Sequence, residues 1–187
     1  GMTGSNRVAK ATPDGYQIVM GTVGTHAQGQ TLYAKPAYNS AEDFAPVALL
    51  AEVPLVLTTR KDLPPNTLQE FITYVKANQK TMNYASSGAG GAVHLGCVTL
   101  NATLGVEVAH VPYRGSSAAM QDVIGGRIDY ICEVISGAIP QLKAGTIKVL
   151  AALHSQRSPS LPDLKTADEQ GLKGFAAYTW NGIFAPK

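Results

Sequence analysis

The sequence of 187 residues predicts an α/β fold with a largely parallel sheet. Three features carry that expectation. Seven short apolar runs are flanked by turn residues as buried strands are, and four stretches between them repeat their apolar positions with helical spacing. The two kinds alternate over most of the chain. With 45% hydrophobic and 15% charged residues, the chain can bury a sizeable core and lies far from the composition of disordered proteins.

From the N-terminus, Gly1-Met2 reads as the scar of a cleaved expression tag followed by a start codon. Strand-like runs follow at 16–20, 47–50 and 54–58. Turn formers then crowd residues 61–66, where Pro64 and Pro65 force extended geometry on the residue before each, and this is the expected crossing between domains. A helix starts at Thr67, because Thr67 and Glu70 have capping-box spacing and Leu68, Phe71, Ile72 and Val75 recur at i, i+3, i+4 and i+7.

Strand runs at 82–85, 108–111, 128–132 and 147–153 alternate with helical patterns at 91–104, 117–124 and 136–144. Gly105, Gly125 and Gly145 are their stops, and Pro140 falls near the first turn of the last. Residues 64–176 therefore read as a complete, doubly wound domain, with 1–63 and 177–187 forming a second, partial one.

Several function classes are excluded by what is missing. The net charge is only +2 and the 15 basic residues are scattered, which is not the footprint of a nucleic-acid binder. Cys97 and Cys132 have no C-x-x-C partner and read as free buried thiols, not as a metal or redox pair. His26, His94, His110 and His154 lack the spacings that place two imidazoles on one helical face, so no metal or cofactor is expected. A catalytic pairing of Cys132 and Glu133 with a distant histidine is conceivable, but no G-x-S-x-G elbow supports it and the chain is read as a non-enzyme. No run approaches the ~20 apolar residues that cross a bilayer, and no secretory signal is readable.

The chemistry concentrates at strand-to-helix junctions, where open α/β sheets bind ligands. The first holds Ser86, Ser87, Gly88, Ala89, Gly90 and, just inside the helix, His94. Glycines let backbone amides approach an anion, serines add hydroxyl donors, and the helix start leaves amides unpaired. No Gly-Lys-Ser/Thr follows and G-x-G-x-x-G is absent, which disfavours nucleotides; a plain flexible loop is the alternative.

A second junction offers Tyr113 as a pocket wall, Arg114 as a forked partner for a carboxylate, and Gly115 and Ser116 at the next helix start; Arg114 equally reads as a solvated charge. At a third, Glu133 could receive an amino or hydroxyl group or lie on the surface. The fourth gathers Thr22, Gly24, Thr25 and His26.

These junctions lie within longer runs: Ala11-Thr12-Pro13-Asp14-Gly15-Tyr16, Gly21-Thr22-Val23-Gly24-Thr25-His26, Asp43-Phe44-Ala45-Pro46-Val47, Asn83-Tyr84-Ala85-Ser86-Ser87-Gly88, His110-Val111-Pro112-Tyr113-Arg114-Gly115 and Trp180-Asn181-Gly182-Ile183-Phe184-Ala185-Pro186. In that order they resemble the extracytoplasmic solute-binding proteins of tripartite tricarboxylate transporters, the Bug/TctC family. The resemblance implies a type II periplasmic binding protein-like fold of two lobes, one complete and doubly wound and one incomplete. It implies a periplasmic module that closes on a small carboxylate between its lobes and delivers it to membrane permease subunits. The second-lobe wall would hold Ser86, Ser87, Gly88, His94 and the 113–117 loop, and residues 22–26 would form the opposite wall.

Family members open with an additional strand, ligand loop and helix and continue beyond the position of Lys187, so the chain is expected to be shortened at both ends. Two further expectations follow: a homodimer through the incomplete lobe and weakened binding. The alternative reading is a degenerate, non-binding fragment that serves as an interaction or structural piece.

Overall fold

A computed structural model describes residues 1–187. The chain divides into two compact units, Gly1–Val53 with Thr179–Lys187, and Pro54–Tyr178.

The first unit contains α1 (Met2–Ala9), β1 (Val19–Thr22), a π-helical turn (Gly24–Gln28) that runs into the one-turn α2 (Gly29–Leu32), the first half of β2 (Phe44–Arg60) and most of β7 (Tyr178–Pro186). β1 and β7 pair antiparallel from Val19↔Phe184 to Thr22↔Asn181, and β7 lies next to β2. The strand expected at 16–20 is thus displaced, since only Val19 onward finds partners. α1 was not among the expected elements: it buries only Ser5, so no apolar stripe marks it in sequence.

The second unit holds the remainder of β2, then α3 (Leu68–Asn78), β3 (Asn83–Ser86), α4 (Ala92–Leu104), β4 (Ala109–Pro112), α5 (Ser116–Ile124), β5 (Tyr130–Val134), α6 (Ile135–Lys143) and β6 (Ile147–Ala152). The runs expected at 47–50 and 54–58 are one strand. Proline holds both itself and the preceding Val53 in extended geometry, so Pro54 does not interrupt it. The division between units falls inside β2, ahead of the 61–66 turn, because residues 55–60 pair with β5 and β6.

Those pairings run antiparallel from Leu55↔Val134 to Thr59↔Tyr130 and from Val56↔Ala152 to Arg60↔Ile147. β3 is parallel to both β4 and β5, which gives the order β6-β2-β5-β3-β4 with β2 as the antiparallel member. Helices cover the sheet. Leu68, Phe71 and Val75 of α3 and Cys97, Leu100 and Leu104 of α4 form one buried cluster with Leu55, Leu57, Tyr84, Tyr130 and Cys132. Strand alternation sends Ile131 and Glu133 to the other side, where Glu133 meets residues of α5 and α6.

Two local details bear on expectation. Thr67 Oγ1 accepts the Glu70 N–H at 3.2 Å as the capping box requires, whereas the Glu70 carboxylate reaches back to the Asn66 N–H at 2.7 Å, one residue earlier than the reciprocal bond. The reading of Cys97 and Cys132 as free thiols is corrected. α4 lies over β5 so that their Cα atoms stand 5.4 Å apart, and the two cysteines are joined in a disulfide.

Candidate functional site

β3 and β4 are parallel with Ser86 opposite Pro112, so the bends that follow them leave the sheet at the same rim. There they touch. The Tyr113 N–H donates to the Ser86 carbonyl at 3.0 Å, and a Cβ placed on Gly88 would stand 3.6 Å from the Tyr113 carbonyl. Gly88 has φ 131°, which L side chains rarely adopt, so glycine is required for the loop to turn here. β5 is parallel to β3 as well, which brings Glu133 toward the same rim.

Within the 86–94 junction much of the polar chemistry is internal. Ser86 is fully buried; its Oγ accepts the Gly88 N–H at 3.2 Å and lies 2.7 Å from His110 Nε2. His94 Nδ1 accepts the Gly90 N–H at 3.1 Å, so that nitrogen carries no proton. The rings of His94 and His110 are 4.2 Å apart, and Tyr84 stacks on His110 at 4.9 Å. Burial lowers the pKa of both histidines, and for His110 the neighbouring charge of His94 adds to the effect.

The Gly88 and Gly90 amides are therefore occupied in holding the loop. Ser87, half-buried, and the exposed Ala89 form its outer part, and the first amides of α4 lack helical partners. His110, which sequence reasoning left out, is what fixes Ser86. Its place directly across from Tyr84 in the parallel register was not readable without the pairing.

At the second junction Tyr113 turns to α5: its hydroxyl donates to Asp122 at 2.6 Å, and burial together with that carboxylate pushes the phenol up to about 12. Arg114 is exposed and forms no ion pair. Gly115 and Ser116 open α5, and Ser116 with Ser117 lines a cavity of about 190 Å³ shared with Met120, Gln121, Gly137 and Gln141. Glu133 forms part of its wall and is only 2% exposed, so it is not a surface residue. A larger apolar hollow of about 590 Å³ lies beside α3 and Pro64-Pro65 and is lined by none of the residues of the 86–94 and 113–117 junctions.

In the first unit, Thr22, Gly24, Thr25 and His26 form a compact turn. Thr25 Oγ1 accepts the Thr22 N–H at 2.9 Å and lies 2.9 Å from His26 Nδ1. His26 is buried, stacks on Phe184 at 4.2 Å and meets the edge of Phe44 at 4.6 Å, while its Nε2 has no hydrogen-bond partner. Burial lowers its pKa. Its ring is a packing element of this unit's core.

Comparison with known proteins bears on this arrangement. The family model described as tripartite tricarboxylate transporter family receptor matches residues 1–187. A UPF0065 protein of Agrobacterium vitis is 39% identical over 187 residues, covering 100% of this chain and 54% of that protein. Among solved structures, MatC from Rhodopseudomonas palustris with bound malate superposes with a TM-score of 0.88 at 40% identity, covering 99% of this chain and 63% of that one. Another R. palustris protein, solved with adipate, gives a TM-score of 0.93 at 33% identity, with 100% and 62% covered. The chain spans about half the length of the curated relatives it matches.

Proposed function

Because this chain belongs to the tripartite tricarboxylate transporter family of receptors, we propose that it is a solute-binding module for a small carboxylate and not an enzyme. One observation carries the reading: the Ser86 and Tyr113 bends lie against each other at one rim of the parallel β3–β4 pair, where the starts of α4 and α5 also open. Helix starts leave amides unpaired and favour negative charge. Ser87, the first turn of α4, Gly115 and Ser116 are the direct contacts in this reading, with the exposed Arg114 as the cation that completes them. Ser86, Gly88, Gly90, His94 and Tyr113 hold the two bends in shape. Thr22, Gly24, Thr25 and His26 shape the corresponding turn of the first unit.

Malate and adipate, bound by two relatives of this fold, set the size class expected of the ligand. The family assignment supports a periplasmic location and delivery to permease subunits. The disulfide also favours an oxidising compartment.

A thermal shift series against four- to six-carbon dicarboxylates tests the reading. A ligand at a hundredfold its Kd stabilises by about 2.7 kcal/mol, a rise of roughly 5–10 °C for a protein of this size. Melting temperatures unchanged at millimolar ligand across the whole series would overturn it. A second reading, self-association through the first unit, is favoured by the apolar side chains that this unit leaves exposed.

A further inference from the structure

Glu133 is a buried carboxyl with no cation beside it. Oε1 accepts the Val134 N–H at 2.8 Å, Oε2 is buried without a hydrogen-bond partner, and no basic side chain pairs with either. Buried carboxylates are ordinarily paired or fully hydrogen-bonded, because isolating the charge from water is costly. A group that breaks this rule against the wall of a cavity needs a chemical reason.

The surroundings narrow that reason. The cavity is lined from α5 by Ser116, Ser117, Met120 and Gln121 and from α6 by Gly137 and Gln141. None of these titrates. Across the sheet Glu133 pairs with Val56, which is apolar. The nearest charged residues on the flanking helices are committed or remote: Asp122 of α5 is held by Arg127 and Tyr113, and Lys143 is exposed at the end of α6. Glu133 is therefore the one titratable group facing the cavity. Gly137 keeps the space open, since a Cβ there would stand 3.2 Å from Glu133 Oε1.

The start of α5, a helix of nine residues, supplies unpaired amides and two hydroxyls to the same cavity. An anion suits those donors, but it would be repelled by an ionised Glu133. The conflict disappears if the carboxyl carries a proton.

We propose that this cavity receives one carboxylate group of the ligand, held by the opening of α5 and by a hydrogen bond donated from the protonated Glu133 carboxyl, so that capture takes up one proton from solvent. The inference rests on the carboxylate-binding reading and adds the state in which the ligand is held. Burial raises the Glu133 pKa above its ordinary value of 4.5, with the Val134 N–H and the nearby Ser116 hydroxyl pulling the other way. An anion beside it raises it further, so the bound form binds protons more tightly than the free form. Affinity then falls as pH rises, by up to about tenfold per pH unit between the free and bound values.

The test is calorimetric titration of the 187-residue chain with malate and with adipate, from about pH 6.5 to 8.5, where the ligand carboxyls are ionised. His94 and His110 pull the other way from the expected signal only weakly, because burial lowers both pKa values from 6.5 and favours their neutral forms over this range. The expected result is binding heat that differs between two buffers of unequal ionisation enthalpy in the sense of proton uptake, at most one per ligand, with affinity falling as pH rises. Glu133→Gln, which keeps a donor of the same shape, should hold one affinity across the range and lose the buffer dependence.

Binding by the unsubstituted chain that is flat in pH and independent of buffer overturns the proposal while leaving the carboxylate reading intact. A tenfold or greater loss in Glu133→Gln at the acid end also overturns it, and assigns Glu133 instead as an acceptor for a ligand hydroxyl or ammonium. Absence of heat with every carboxylate overturns both. The proton count on the unsubstituted chain decides the matter even if Glu133→Gln does not fold.

Discussion

At the scale of single residues, the 86–94 junction is held by an arrangement that works only while its histidines are neutral. His94 accepts the Gly90 N–H through Nδ1, and the His110 ring lies tilted beside it while bonded to Ser86. Protonating His94 at Nδ1 sets two donors against each other, and charging both rings adds repulsion across 4.2 Å. Burial has lowered both pKa values from 6.5, so the unfolded chain takes up protons that the native state refuses. Stability from this source is complete above pH 6.5 and is lost as pH falls toward the lower native values, at up to about 1.4 kcal/mol per pH unit for each histidine. Urea midpoints measured at pH 7.5 and 5.5 should show the loss. The double variant His94→Gln, His110→Gln should lose less over the same interval, with a remainder from the more deeply buried His26; equal losses in the two proteins would refute the account. Glu133 has the opposite sign, since its raised pKa makes the ionised form a burden at neutral pH.

At the scale of elements, the disulfide ties α4 to β5 across 35 residues of chain. Gly96, one residue before Cys97, lets the helix sit close: a Cβ there would stand 2.5 Å from Leu55 Cδ1 and 3.5 Å from Cys132 Cβ. Closing a loop of that length restricts the unfolded chain by about 4 kcal/mol on entropic grounds, of which roughly 2–4 is commonly realised. Thiol titration of the native protein should find no reactive cysteine, and reduction should lower stability by that amount. Titratable native thiols, or an unchanged urea midpoint after reduction, would contradict it. This bond also marks where sequence reading stops. Signals confined to a few residues were legible: the Thr67 cap, the apolar spacing of Leu68, Phe71 and Val75, the Gly105 stop and the alternation that predicts an α/β sheet. Features that depend on which elements become neighbours were not. Cys97 meets Cys132 only because α4 crosses β5, Ser86 is silenced by a histidine 24 positions away, and Glu133 is buried by helices from either side of it in sequence. The rim itself follows from local order, since successive parallel strands deliver their bends to one edge.

At the scale of the whole molecule, the two units differ in how much apolar surface they leave in water. The second unit closes a core around Leu55, Phe71, Leu100 and Tyr130, whereas the first leaves large apolar side chains in water. Tyr16, Ile18 and Met20, leading into β1, are 92%, 59% and 61% exposed, and Val47, Leu49 and Leu50 on β2 are 62%, 64% and 56% exposed. Isolated exposed apolar residues are ordinary, but rows of them along strands mark surfaces that other chains cover, and strand edges favour such pairing. The expected outcome is self-association through the first unit. Light scattering on a dilution series from micromolar to sub-millimolar chain should return a mass that rises with concentration above the monomer's 19.6 kDa. Replacing Met20 and Leu49 with lysine places charge in both rows without touching the second unit, and should return the chain to a monomer. A monomer mass at every concentration in the unsubstituted chain would show that these rows do not bind one another.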